Sequence, residues 1–70
     1  MPVKIILQET RRKNGLSQEK LALASGISVS YIQKIEQNSI SRLSLEILGK
    51  LCKTLKCSVS DILLYEEIEE

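Results

Sequence analysis

The chain has no phenylalanine, no tryptophan and no histidine, and its 70 residues include only two tyrosines, one proline and three glycines. Without large aromatic rings the core must be assembled from Leu, Ile, Val and Ala, a palette that suits short helices packed on one another. With two cysteines and no histidine, a zinc site would lack half of its usual four ligands, so no metal or other cofactor is expected. Also missing is any run of about 18 apolar residues, or a basic segment leading into a shorter apolar one, so neither a membrane span nor a secretory signal is expected and a cytoplasmic location follows. A phosphate-cradling glycine loop and a nucleophile with an evident base are absent too, which leaves enzyme chemistry without support. On a helix, the five-residue spacing of Cys52 and Cys57 turns the side chains about 140° apart with Cα atoms about 8 Å distant, too far for an unstrained disulfide. They read as small buried apolar residues in a reducing compartment.

What is present is one small domain, residues 1–70, near the size at which a single core only just outweighs conformational entropy; a dimer or a bound partner would help. The net charge of +1 conceals an asymmetry. Residues 1–43 carry seven Lys and Arg against three Glu, and residues 44–70 carry three Lys against six acids. A basic half favours an anionic partner and an acidic end would orient the molecule on it, although two ordinary solvated faces would have the same composition.

Caps and breaks divide the chain into five helical segments, an all-α pattern. The first is expected from about Val3 to Lys13, with Val3, Ile6, Leu7 and Thr10 on one face and a stop at Asn14-Gly15. Ser17 caps a second, which places Leu21, Ala22 and Ser25 inward and ends at Gly26. Ser28 caps a third, Val29 to about Glu36, held by Ile32 and Ile35 and ended by Asn38 in a left-handed conformation. Ser44 caps the longest, Leu45 to Leu55, whose Leu45, Leu48, Leu51, Cys52 and Leu55 have the spacing of a buried face. Ser58 and Asp61 match a capping box opening a last helix that buries Val59, Ile62 and Leu63. The tail from Leu64 alternates acids with Tyr65 and Ile68, and is either frayed or available for a dimer contact.

The stretch SQEKLALASGISVSYIQKIE, residues 17–36, decides between one helix and two. Wound continuously, it puts Ser25 and Ser28 at the centre of the stripe formed by Leu21, Ile32 and Ile35, and strands Ile27 on the opposite side. Broken at Gly26, it becomes a helix, a tight turn and a second helix, with Ile27 directed into the core.

With that break, the chain resembles the Cro/C1-type (XRE-family) helix-turn-helix DNA-binding domain over nearly its whole length. The residues that carry the resemblance are Arg11, Gly15-Leu16-Ser17-Gln18-Glu19 and Leu21-Ala22, then Ser25-Gly26-Ile27-Ser28, Ile32 and Ile35-Glu36, then Ser44-Leu45-Glu46, Leu48, Leu51-Cys52 and Leu55. The resemblance implies a five-helix, lambda-repressor-like bundle that binds double-stranded DNA with its third helix, usually as a repressor and as a homodimer. It implies that Gln18 and the start of the third helix meet the DNA backbone, that Ser28, Val29, Ser30, Gln33 and Lys34 face the groove, and that Arg11 and Glu36 form a partly buried structural ion pair. Ser and Gln can hydrogen-bond base edges, Lys34 can reach guanine acceptors or a phosphate, and Val29 can pack on a thymine methyl. Tyr31 either contacts the backbone or fills the core, with contact favoured because Ile32 and Ile35 already hold the core stripe. Arg42 falls where the family grips phosphates, and Lys4, Arg12 and Lys13 are weaker candidates for that role.

Three departures stand out. The loop QNSISRL, residues 37–43, is one residue longer than usual and has Leu43 in the place of a proline. Lys56 stands where the family usually has glycine, so it either takes positive φ or the turn differs. Leu23 occupies a position that is usually polar. A protein-interaction module on the same fold, antitoxin-like or an adaptor, is the competing reading, supported by the modest charge and the few polar groups on the third helix.

Overall fold

The computed structural model describes residues 3–66. They form a strand β1 (Val3–Ile5), helices α1 (Leu7–Lys13), α2 (Gln18–Ser25), α3 (Val29–Glu36) and α4 (Leu45–Leu55), a 3₁₀ turn (Val59–Asp61) and a strand β2 (Leu63–Tyr65). Serine hydroxyls set three of the helix starts: Ser17, Ser28 and Ser44 accept from the N–H of Lys20, Tyr31 and Ile47 at 3.1, 3.2 and 3.1 Å. Each satisfies a donor that has no partner within its helix. Left-handed residues set the ends, with Gly15, Gly26, Asn38 and Lys56 at φ 69°, 76°, 56° and 51°. Lys56 therefore takes the strained alternative at the position where glycine is usual.

The expected all-α, five-helix plan needs two corrections. Val3–Ile5 is not the first turn of a helix but pairs antiparallel with Leu63–Tyr65, with Val3 opposite Tyr65, Lys4 opposite Leu64 and Ile5 opposite Leu63. The i, i+3, i+4 spacing of Val3, Ile6 and Leu7 mimics a helix, but the β-branched Val3, Ile5 and Ile6 also alternate at the strand period. The ladder continues as Ile6 N–H donates to the Ile62 carbonyl at 2.6 Å, and Lys4 pairs with Glu66 at 2.8 Å just beyond it.

The fifth helix shrinks to one 3₁₀ turn. The Asp61 carboxylate does reach back to the Ser58 N–H, at 3.1 Å. The carbonyls that would propagate a helix are taken by α1 and its entry, however: the Thr10 hydroxyl donates to Asp61 and Ile6 N–H to Ile62. Ile62 is consequently buried, whereas Val59 is 50% exposed and Leu63 half-buried.

The core comprises Leu7, Leu21, Ile27, Ile32, Ile35, Leu48, Leu51, Leu55 and Ile62. Val3 and Leu45, both expected on buried faces, are 48% and 83% exposed. Leu45 is the first residue of α4, and because Cα–Cβ bonds tilt toward the helix N-terminus, its side chain leans past the end of the helix instead of into the core. Cys52 and Cys57 are both free and half-buried. Since α4 ends at Leu55, helical spacing does not describe their relative placement.

Candidate nucleic-acid interface

Gly26 separates α2 from α3. Its φ of 76° is one that an L side chain rarely tolerates, and its N–H donates to the Ala22 carbonyl at 2.9 Å. Ser25 carries the chain through the turn, donating its hydroxyl to Leu21 at 2.7 Å and accepting from the Ile27 N–H at 3.3 Å. Ile27, stranded on a continuous helix, is buried.

The turn leaves α3 with two unlike faces. Ile32 and Ile35 point into the core, while Ser30, Gln33 and Lys34 are exposed and Val29 is half-buried at their edge. The eight residues span about 12 Å, comparable to the width of the B-DNA major groove. Ser28, also exposed, uses its oxygen as the cap and keeps its O–H as a donor. Tyr31 is half-buried and packs partly against the core, so its ring is shared between the interior and the surface.

Behind this face sits a polar chain that starts in the interior. Arg11 donates Nε to Glu36 Oε2 at 2.6 Å, Nη2 to Glu36 Oε1 at 3.1 Å and Nη1 to the Leu16 carbonyl at 2.8 Å. The two side chains are only 9% and 4% exposed. The Glu36 hydrogen bond holds the guanidinium above its ordinary pKa, against the downward pull of burial. Glu36 Oε1 also accepts from Gln18 Nε2 at 3.1 Å, and Gln18 Oε1 accepts from Gln33 Nε2 at 3.4 Å. The ion pair thereby aims Gln18, at the start of α2, toward Gln33 on the exposed edge of α3.

Arg42 is exposed in the loop that follows. Among the described residues neither Arg42 nor Lys34 makes an ion pair, whereas Lys4 is engaged by Glu66. Ile40 and Leu43 are half-buried against the core, pinning the longer loop on both sides of Ser41 and Arg42. Leu43 replaces the rigidity of a proline with apolar contact.

Asn38 contributes more than the end of α3. Its carboxamide accepts from the Ile5 N–H at 2.8 Å and donates to the Ile5 carbonyl at 3.0 Å, the two bonds a neighbouring strand would make. The end of α3 is thus tied to β1. No local pattern signals this role, because the partner lies 33 residues away. Among the described residues no cluster of His, Cys, Asp or Glu could hold a metal ion, and no helix is long and apolar enough to cross a membrane.

A family model described as helix-turn-helix matches residues 7–62. The chain is similar to the HTH-type transcriptional regulator SlrR of Bacillus subtilis (strain 168), at 32% identity over 68 residues. That match takes in 90% of this chain and 45% of the relative, so the chain spans under half the length of the protein it resembles. Among solved structures, a complex of SinR protein and SinI protein superposes with a TM-score of 0.73 at 31% identity, over 77% of this chain and 52% of that one. The restriction-modification controller protein C.AhdI from Aeromonas hydrophila superposes with a TM-score of 0.72 at 36% identity, over 79% and 82%.

Proposed function

Because the chain belongs to the Cro/C1-type (XRE) helix-turn-helix family, which comprises DNA-binding transcriptional regulators and not enzymes, we propose that it is a sequence-specific repressor that lays α3 in the major groove of double-stranded DNA. The observation that carries this reading is the exposed edge of α3, Ser30, Gln33 and Lys34, with Gln18 hydrogen-bonded to it and Arg42 free of any ion pair among the described residues.

Ser30 and Gln33 supply hydroxyl and amide groups to base edges, Val29 a methyl contact for thymine, and Lys34 a charge for guanine acceptors or phosphate. The N-termini of α2 and α3 offer N–H groups to phosphate oxygens, with Gln18 and Ser28 beside them, and Arg42 grips the backbone from the loop. Tyr31 completes the contact surface with the part of its ring that is not packed inward. The functional unit is a homodimer on a pseudo-palindromic site with half-sites about 34 Å apart. Leu64 and Tyr65, 37% and 65% exposed, are the surface available for its contact; Ile68, the third member of that group, lies outside the described residues.

Leu23, 86% exposed beside exposed Lys20 and Ala24, favours a second reading in which the same fold docks on a protein. Gel shifts on genomic fragments from 50 to 200 mM salt separate the two. A contact set with several phosphates should lose affinity steeply over that range, and a lack of salt-sensitive binding to every fragment would leave only the protein-docking reading.

A further inference from the structure

The end of α4 brings the two cysteines of the chain together. On an uninterrupted helix they would point about 140° apart, but Lys56 turns left-handed at φ 51° and ψ 50°, and Cys57 N–H donates back to the Cys52 carbonyl at 3.1 Å. This six-to-one closure folds the second residue beyond the helix over the residue five before it, and a side-chain contact between those two positions commonly accompanies it. Here the two positions hold thiols. Both are free and half-buried, and both pack against the same aliphatic core. Burial pushes the Cys57 thiol above its ordinary pKa, and the neighbouring Cys52 thiol and the Asp61 carboxylate push it further. Neither cysteine belongs to the helix-turn-helix or to loop 37–43.

We propose that Cys52 and Cys57 form an oxidisable dithiol, a modification site at which a hydroperoxide closes an intramolecular disulfide across the last turn of α4. One sulfur, as the thiolate, attacks the O–O bond; it becomes a sulfenic acid and the departing hydroxide takes up the proton that the thiol had released, leaving as water. The second sulfur then attacks the sulfenic sulfur, the S–O bond breaks, and the hydroxyl leaves as a second water with that thiol's proton. Two thiols and one hydrogen peroxide give one disulfide and two waters, each sulfur giving up one electron. Strongly oxidising disulfides owe their ease of reduction to a stabilised thiolate in the reduced form. Burial gives Cys57 the opposite bias, which places this bridge outside that class. It closes a short loop at a cap that already holds its backbone in place.

The test is peroxide treatment of the reduced full chain, followed by intact mass and peptide mapping. The expected product is a monomer lighter by about 2 Da, with fragments containing Cys52 and Cys57 joined. Its melting temperature should rise by roughly 5 °C and return on reduction with a dithiol. Cys57→Ser and Cys52→Ala, each of which leaves one thiol, should instead accumulate a sulfenic acid trapped by dimedone. The proposal is overturned if the parent chain gains oxygen at separate thiols, forms only disulfides between chains, or gives dimedone adducts as readily as the single-cysteine variants. It is equally overturned if folded chain whose thiols both react with maleimide shows no mass loss under peroxide. Cys52→Ser repeats the arm should Cys52→Ala fail to fold.

Discussion

Glu36 accepts three hydrogen bonds on its two carboxylate oxygens, two from Arg11 and one from Gln18. A buried ion pair gains little over an apolar pair of the same shape, but removing one member leaves the other charge uncompensated. Glu36→Gln should therefore cost about 3–5 kcal/mol in urea denaturation, while the double replacement Arg11→Met with Glu36→Leu should recover most of that loss. Equal stability of the single and double variants would show that the charge left behind is not the source of the cost. Lys56 presents the converse case. It holds φ 51° without the conformational freedom of glycine, at a cost of about 1–2 kcal/mol for an L residue. Glycine is freer in the unfolded chain as well, so Lys56→Gly should stabilise the fold by a net of about 0.5–1 kcal/mol, read as a higher urea midpoint with an unchanged slope. A midpoint that falls would mean that the aliphatic stem of Lys56 contributes more than its backbone strain removes.

The elements whose signals are local were legible in the sequence: serine caps at 17, 28 and 44, Gly26 in its turn, and Ile32 with Ile35 on the inner face of α3. What could not be read were the features decided by partners distant in the chain. Val3–Ile5 satisfies a helical spacing and a strand alternation equally well, and only Leu63–Tyr65 alongside resolves the choice. The last helix is stopped by Thr10 and Ile6, roughly fifty residues upstream, and Asn38 finds Ile5 across 33 residues. The inner face of α3 followed from the spacing of Ile32 and Ile35 and its outward edge from the family resemblance, but the alignment of that edge with Gln18 depends on the buried Glu36. These separate origins imply different mutational signatures. Ser30→Ala and Gln33→Ala should shift the preferred base at particular positions of a selected site, by about 1–3 kcal/mol for each lost contact. Arg42→Ala should weaken all sequences alike and reduce the salt slope by about one unit. Fluorescence anisotropy on a panel of single-base variants distinguishes the two, and a uniform loss from Ser30→Ala would remove that residue from base readout.

On the scale of the whole molecule, charge is divided along the chain: the half containing α1 to α3 and loop 37–43 is net positive and the remainder net negative. On the proposed reading, such a division would steer the α3 face toward DNA and turn the C-terminal half away from it. In the proposed reading α3 presents about 12 Å of recognition helix, enough for one half-site but little for specificity. Two copies related by a two-fold axis double the readout and convert dimer geometry into a spacing rule. Sites selected from random DNA should therefore be inverted repeats whose half-site centres lie about 10–10.5 base pairs apart, or a multiple of that. Inserting five base pairs between the halves puts the second on the opposite side of the duplex, and affinity should fall toward that of a single half-site. Replacing both Leu64 and Tyr65 with serine should produce the same fall on an intact site and shift sedimentation from dimer to monomer, while half-site binding persists. Selected sites without inverted symmetry, bound by a sedimenting monomer, would instead assign specificity to one copy of the domain, and with it to Gln18, Arg42 and the edge of α3 alone.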